Sequence, residues 1–169
     1  MNFKPGWGSH IPMLVKIMNV SKGDVLELGI GPCSTPILHW MCFDQDRKLT
    51  SYETDSSFCN KFKRYITDFH KITQVDKWED VDIKKKWGLV FVDQHPSEER
   101  ALSAIKVAKL AHYVILHDTE PRNAKFYTYD RAFPHFKYRF DYNKHKKGWT
   151  TVLSNFHKLD FLNEGTTTN

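Results

Sequence analysis

The stretch Asp24-Val25-Leu26-Glu27-Leu28-Gly29-Ile30-Gly31-Pro32-Cys33-Ser34-Thr35-Pro36 constrains this chain more than any other. An apolar run carrying one acid stops at two glycines and passes through Ser34 to a proline suited to a first helical turn. Glycine lets a backbone turn tightly and approach a ligand closely, and Ser34 is expected to cap the helix that follows. Strand, tight loop and helix in direct succession put a ligand at the carboxyl end of the strand. A second acid, Glu53, ends the next strand-like run, Leu49–Glu53, about where the ribose hydroxyls of a nucleoside would lie.

The rest of the chain repeats this alternation. Residues 2–10 form an arm with Gly, Pro and Trp7, which could fold with His10 over the ligand mouth or be inert. Ile11, Leu14, Val15 and Met18 fall at helical spacing, with Ser9 as the expected cap. Strands are expected over 24–28, 49–53, 72–75, 87–92 and 113–116, the fourth (Trp-Gly-Leu-Val-Phe-Val) apolar enough to be buried on both faces. Between them lie helices: one after Ser34 with Ile37, Leu38, Met41 and Cys42 on one face, one capped by Asp55 with Phe58, Phe62 and Tyr65 inward, and one capped by Ser97. The fourth and fifth strands end at Asp93 and at His117-Asp118. Residues 135–141 and 149–154 then read as a hairpin that adds antiparallel pairing. The expectation is an α/β, doubly wound, Rossmann-like sheet of seven mostly parallel strands, with helices on both faces and a C-terminal antiparallel hairpin. One domain, 1–155, would include the arm 1–10 and precede a polar, frayed tail, 156–169. No internal repeat is seen.

Composition narrows the classes. At 169 residues one α/β domain can bury a sizeable core, and the hydrophobic share, 40%, argues against global disorder. A net charge of +5 permits a nucleic-acid partner without indicating one; Lys84–Lys86 and Lys144–Lys147 lack interleaved aromatics and read as solvated loops. Three cysteines without CxxC spacing argue against a disulfide framework or structural zinc. No run approaches the ~18 apolar residues of a membrane span and no signal-peptide core is seen, so a cytoplasmic location is expected.

In its order of parts the chain resembles the class I S-adenosylmethionine-dependent methyltransferases, from about Ser9 to Asn155. The resemblance rests on Glu27-Leu28-Gly29-Ile30-Gly31, on Glu53 and Asp93 ending their strands, and on the closing hairpin with Trp149–Leu153. It implies transfer of a methyl group from S-adenosylmethionine to a small acceptor, with O-methylation favoured. Glu27, Gly29, Gly31, Ser34 and Asp93 would line the donor and Glu53 would hold its ribose. Cys33 stands where many members have a third glycine. The post-strand acids are also similar to the catechol O-methyltransferase-like branch, which implies Mg2+ held by Asp93, Asp118 and Thr119. Carboxylate oxygens suit such an ion. Thr119 replaces an Asn, and the lysine that branch carries after the strand-four acid is missing from Asp93-Gln94-His95-Pro96. His95, beside Asp93 and Asp118, is the expected base, since histidine titrates near neutrality.

Other readings stand beside these. His117 reads as a satisfied buried histidine more readily than a catalytic one, because strand alternation should turn it away from Asp118. Tyr127 and Tyr129 read as packing residues. The chain could instead be a non-catalytic interaction module on the same fold, or an NAD-type Rossmann protein, though it leaves no room for a separate catalytic domain.

Overall fold

A computed structural model describes residues 6–163. The chain runs α1 (Ile11–Val20), β1 (Val25–Leu28), α2 (Thr35–Asp44), β2 (Leu49–Glu53), α3 (Ser56–Phe62), β3 (His70–Gln74) and β4 (Trp87–Val92). It continues through α4 (Glu99–Val107), β5 (Ala111–His117), α5 (Pro121–Phe126), α6 (Tyr129–Ala132), β6 (Tyr138–Tyr142) and β7 (Thr150–Ser154). The seven strands form one sheet in the order β3-β2-β1-β4-β5-β7-β6. The first five are parallel, and β7 runs antiparallel to both β5 and β6. This is the expected architecture. The chain walks outward from β1 to β3 and then returns to β4, so the order reverses between β1 and β4 and opens a crevice at their carboxyl ends.

Alternation along the strands divides the core. Val25, Leu89, Phe91, Tyr113 and Ile115 face α1 and α2, packing on Leu14, Ile17, Leu38 and Cys42. Leu26, Leu28, Val90, Val92, Val114 and Leu116 face α4 and α6. All six residues of β4 are buried, as its unbroken apolar run predicts. Ladder register sets the site. Phe91 pairs with Ile115, so Asp93 and His117, each two residues on, emerge side by side on the α1 face.

Several local expectations change. Ser9 and Ser97 do not cap their helices; His10 and Glu98 occupy those positions without side-chain cap bonds. Ser34 holds the N-cap position of α2 but its side chain makes no cap bond. Asp55 does cap α3, accepting from Ser57 N–H at 2.7 Å, while of that helix's aromatics only Phe62 is fully buried. β3 starts at His70, two residues early, and β6 starts at Tyr138, because a 3-10 turn over Phe133–His135 delays it. Leu159 and Leu162, within the segment read as a tail, are buried on the α1 face of the core. The outer arm (residues 1–5) and residues 164–169 lie outside the described residues. Among those described, no helix is long and apolar enough to cross a membrane.

Candidate active site

The loop after β1 starts on Gly29. Its φ of +92° is left-handed, and a Cβ there would lie 2.6 Å from the backbone of Asp93, so only glycine lets the β1 and β4 loops approach this closely. At Gly31 a Cβ would meet only Ser34 Oγ, at 3.4 Å. That glycine leaves the loop open on its outer side, the space a ligand's approach requires.

Glu27 underpins this loop from behind. It is fully buried and lies outside the cleft, facing α2. Thr35 Oγ1 donates to its Oε1 (2.9 Å) and Ser51 Oγ to its Oε2 (2.6 Å), while Gly31 N–H donates to Thr35 Oγ1 (3.0 Å). Burial pushes the Glu27 carboxyl up to about 7, against the pull of its hydroxyl partners. The network continues through His70 Nε2, 3.0 Å from Ser51 Oγ, to His39 Nδ1, 3.0 Å from His70 Nδ1. Burial lowers both histidines, His70 to about 4. Glu53 sits at the tip of β2 and faces the loop from the other side. Its Oε2 accepts from Ile30 N–H (3.0 Å), and its Oε1 from Thr54 and Asp55 N–H (2.7 and 2.9 Å).

A cleft of about 340 Å³ opens beside the loop at the ends of β1, β4 and β5, a size in the range of small-ligand sites. Ile30, Gly31 and Ser34 form one wall, Asp93 and His95 another, and His117 and Asp118 a third, with Trp7 and buried His10 completing the lining. Of the residues expected here from sequence, Gly31, Ser34, Asp93, His95 and Asp118 line the cleft. Glu27, Gly29, Glu53 and Thr119 do not. Thr119 is buried and hydrogen-bonded to Thr151 Oγ1 at 2.8 Å.

His117 and Asp118 enter the cleft together, contrary to the alternation expected of a strand. The backbone of Asp118 is left-handed (φ +57°), which ends the strand's alternation and brings its carboxylate to 3.7 Å from His117 Nδ1. Asp93 Oδ1 lies 3.2 Å from the same nitrogen. The carboxylates hold the His117 imidazole above its ordinary pKa despite burial.

Sequence reasoning missed Arg100. It lies in the first turn of α4, buried, with Nη2 2.8 Å from Asp93 Oδ1 and Nη1 3.3 Å from Asp118 Oδ2. The guanidinium also stacks over Tyr127, 5.0 Å from the ring centroid, and Tyr129 donates to the His117 carbonyl (2.9 Å). Asp93 is held well below the usual carboxylate range by His117 and Arg100, which outweigh its burial. The Asp93–Asp118–Thr119 set therefore does not fit Mg2+: a protein cation bridges the two acids, and the third side chain is bonded elsewhere.

The sheet order, the closing antiparallel strands and a cleft at the switch point are those of the class I methyltransferase fold. No protein-family model and no curated protein matches the sequence. Solved structures match the fold. The methyltransferase domain of METTL16 aligns over 88% of this chain and 67% of its own, with a TM-score of 0.60 and 12% identity. The human methyltransferase 10 domain containing protein aligns over 91% and 86%, at 0.62 and 10%. The N-terminal domain of human METTL16 in complex with SAH aligns over 88% and 69%, at 0.60 and 11%. At such identities the likeness is one of fold.

Proposed function

We propose that this chain is an S-adenosylmethionine-dependent methyltransferase acting on a small acceptor through a hydroxyl or amine. The observation that carries the reading is the position of the cleft. It opens at the carboxyl ends of β1 and β4, against an open glycine loop, in a sheet shared with solved methyltransferases.

The residues present suit the donor. The open side of Gly31 faces the cleft, which Ser34 also lines, and the Glu53 carboxylate at the tip of β2, beside the cleft, would accept from a ribose diol, shared with the loop amides. S-adenosylmethionine, when bound, supplies a methyl group as a sulfonium already primed for displacement. The protein's task is then alignment of the acceptor and removal of its proton. His95, exposed at the mouth, is the proposed base. Asp93 and Asp118 line the cleft as candidate acceptor-binding carboxylates, and Arg100 fixes both in place. Arg100, paired with both acids, disfavours the Mg2+-dependent chemistry of the catechol O-methyltransferase-like branch.

The test is calorimetric titration with S-adenosylmethionine and, separately, NAD, in wild type, Gly31→Ala and Glu53→Ala. The expected result is micromolar binding of the methyl donor alone, weakened by Gly31→Ala and lost in Glu53→Ala, with the fold of each variant checked by circular dichroism. Absence of donor binding by folded wild type would sink the enzyme reading in favour of an interaction module. Donor binding with His95→Ala turning over at the wild-type rate would remove His95 as the base.

A further inference from the structure

His10 is buried beside the carboxyl ends of β4 and β5. It is 1% exposed, tilted against the Phe91 ring at 4.8 Å and edge-on to His117 at 4.6 Å. Neither ring nitrogen has a partner of good hydrogen-bond geometry among the described residues, although the Cys33 backbone lies close enough to pull the ring's pKa upward. A buried polar group left unmade costs on the order of 1–3 kcal/mol, and such exceptions call for a missing partner. Burial and the neighbouring His117 lower its pKa to about 3, so the ring is neutral and its lone pair is not lost to a proton.

His117 has the complementary problem. Its Nε2 faces the Gly6 carbonyl (3.2 Å), a pure acceptor, as well as Ser9 Oγ (3.0 Å). Ser9 Oγ also reaches the carbonyls of Gly6 (2.7 Å) and Gly148, which ties the arm to the strand ends. Nε2 therefore carries a hydrogen. Nδ1 is left facing two carboxylates, at 3.2 and 3.7 Å, and needs a positive occupant between itself and Asp93. A proton fills that role in the metal-free protein. A metal ion would fill it equally well and would also satisfy His10.

We propose that His10, Asp93 and His117 form a binding site for a divalent transition ion of the zinc class. Their ligand atoms already lie within 4.8 Å of one another. Bonds of about 2.0–2.1 Å require a further closure of roughly 1 Å, which side-chain rotation supplies. Two imidazoles and one carboxylate select zinc, cobalt or ferrous iron over magnesium, which prefers oxygen. This set shares only Asp93 with the set expected from the family resemblance; two imidazoles take the places of Asp118, which Arg100 holds, and Thr119, which Thr151 holds. The outer partners are in place: the Gly6 carbonyl orients His117 through Nε2–H, and Arg100 holds the Asp93 carboxylate. Three protein ligands at the cleft wall leave a position open toward the cleft. The inference does not rest on the methyl-donor reading.

The test is titration with Zn2+ by calorimetry and with Co2+ by visible absorption. His112 Nδ1 and His157 Nε2 lie 2.9 Å apart at the surface and are a competing two-ligand site, so a His157→Ala background is used. The expected result is one equivalent bound per chain, with an affinity that rises with pH as metal displaces the His117 proton. His10→Phe keeps the ring packing on Phe91. It should weaken Zn2+ at least tenfold, abolish the Zn2+-induced rise in melting temperature, and leave the metal-free protein at least as stable as wild type. Equal Zn2+ affinity in His10→Phe, or loss of all binding in the His157→Ala background, would overturn the proposal. Donor titration in chelator, run in parallel, reports on the methyltransferase reading by itself.

Discussion

Two polar networks lie on the same face of the sheet, one around a fully buried acid and one around a half-buried acid at the cleft, and they hold those acids in opposite ways. Behind β1, Glu27 is surrounded by hydroxyls and neutral histidines, with no cation among its hydrogen-bonding partners. At the ends of β4 and β5, Asp93 meets a guanidinium at 2.8 Å and an imidazole at 3.2 Å. Desolvation raises the pKa of any buried carboxyl, and a nearby positive charge lowers it. Glu27 accordingly rises to about 7, while Asp93 falls below its ordinary range. The closed network holds the glycine loop in shape; the charged one faces the cleft, where a field can act on a ligand. The partners set the direction: only hydroxyls offset the burial of Glu27, whereas a guanidinium and an imidazole stand beside half-buried Asp93.

The largest effect should come from removing that partner. Arg100→Met leaves Asp93 and Asp118 beside each other without their shared cation, a change that costs about 3–5 kcal/mol when a buried pair is broken. Urea denaturation at pH 7.5 should show this loss. Arg100→Lys should recover only part of it, because one ammonium cannot span two carboxylates as a guanidinium fork does. A cost below ~1 kcal/mol would mean that solvent, not Arg100, carries the charge of the two acids.

The comparison also explains what could be read from the sequence. The strands were legible because apolar runs end at glycine or acid, and the bounds of the runs at β2 and β4 hold to the residue. The acids were legible as strand-tip residues. Their fates were not, since these depend on contacts made across the fold. Arg100 reads in sequence as one more charge on an amphipathic helix; only the approach of α4 to the β4 and β5 ends turns it inward. The one available signal was its place in the first turn, directly after the Asp93 loop. His117 and Asp118 were separated by strict alternation, which the left-handed Asp118 abolishes. Ser9, read as a cap, instead ties the arm to His117 and Gly148 across more than 100 residues, a contact no local rule reveals.

A smaller effect, of opposite sign to that of Arg100→Met, is expected at Glu27. Its pKa is about 7 in the folded state against 4.5 ordinarily, so between those values the folded chain holds a proton that the unfolded chain has lost. Stability contributed by this group falls as pH rises from 4.5 to 7, and above 7 the penalty is complete, on the order of 3 kcal/mol. Glu27→Gln removes it. The difference in unfolding free energy, variant minus wild type, should be near zero at pH 4.5 and favour the variant increasingly toward pH 8. His70, lowered from 6.5 to about 4, and His39 add stability as pH rises to 6.5, but both are common to the two proteins and cancel in the difference. Asp93→Asn gives the contrasting profile. The stability that its low pKa contributes is present above the ordinary carboxylate range and lost in acid, so that variant should lose most at neutral pH. Two curves of the same slope would mean that the two networks are electrostatically alike.

The smallest effect separates charge from hydrogen bonding within the cleft network. Tyr129 is buried under Arg100 and donates its hydroxyl to the His117 carbonyl. Burial raises that phenol well above its ordinary pKa, so it stays neutral across the working range. Tyr129→Phe removes one neutral hydrogen bond and keeps the ring. Arg100 Nη1 lies 3.4 Å from the same carbonyl, so the acceptor is not orphaned. The expected cost is about 1 kcal/mol, the same at pH 5 and pH 8. If the cost instead grew with pH, the phenol would be acting on the charges of Asp93 and Asp118 through Arg100. The charged network would then include the β5–α6 connection, and the contrast with Glu27 would rest on a larger group of residues than the three ion-paired side chains and His117.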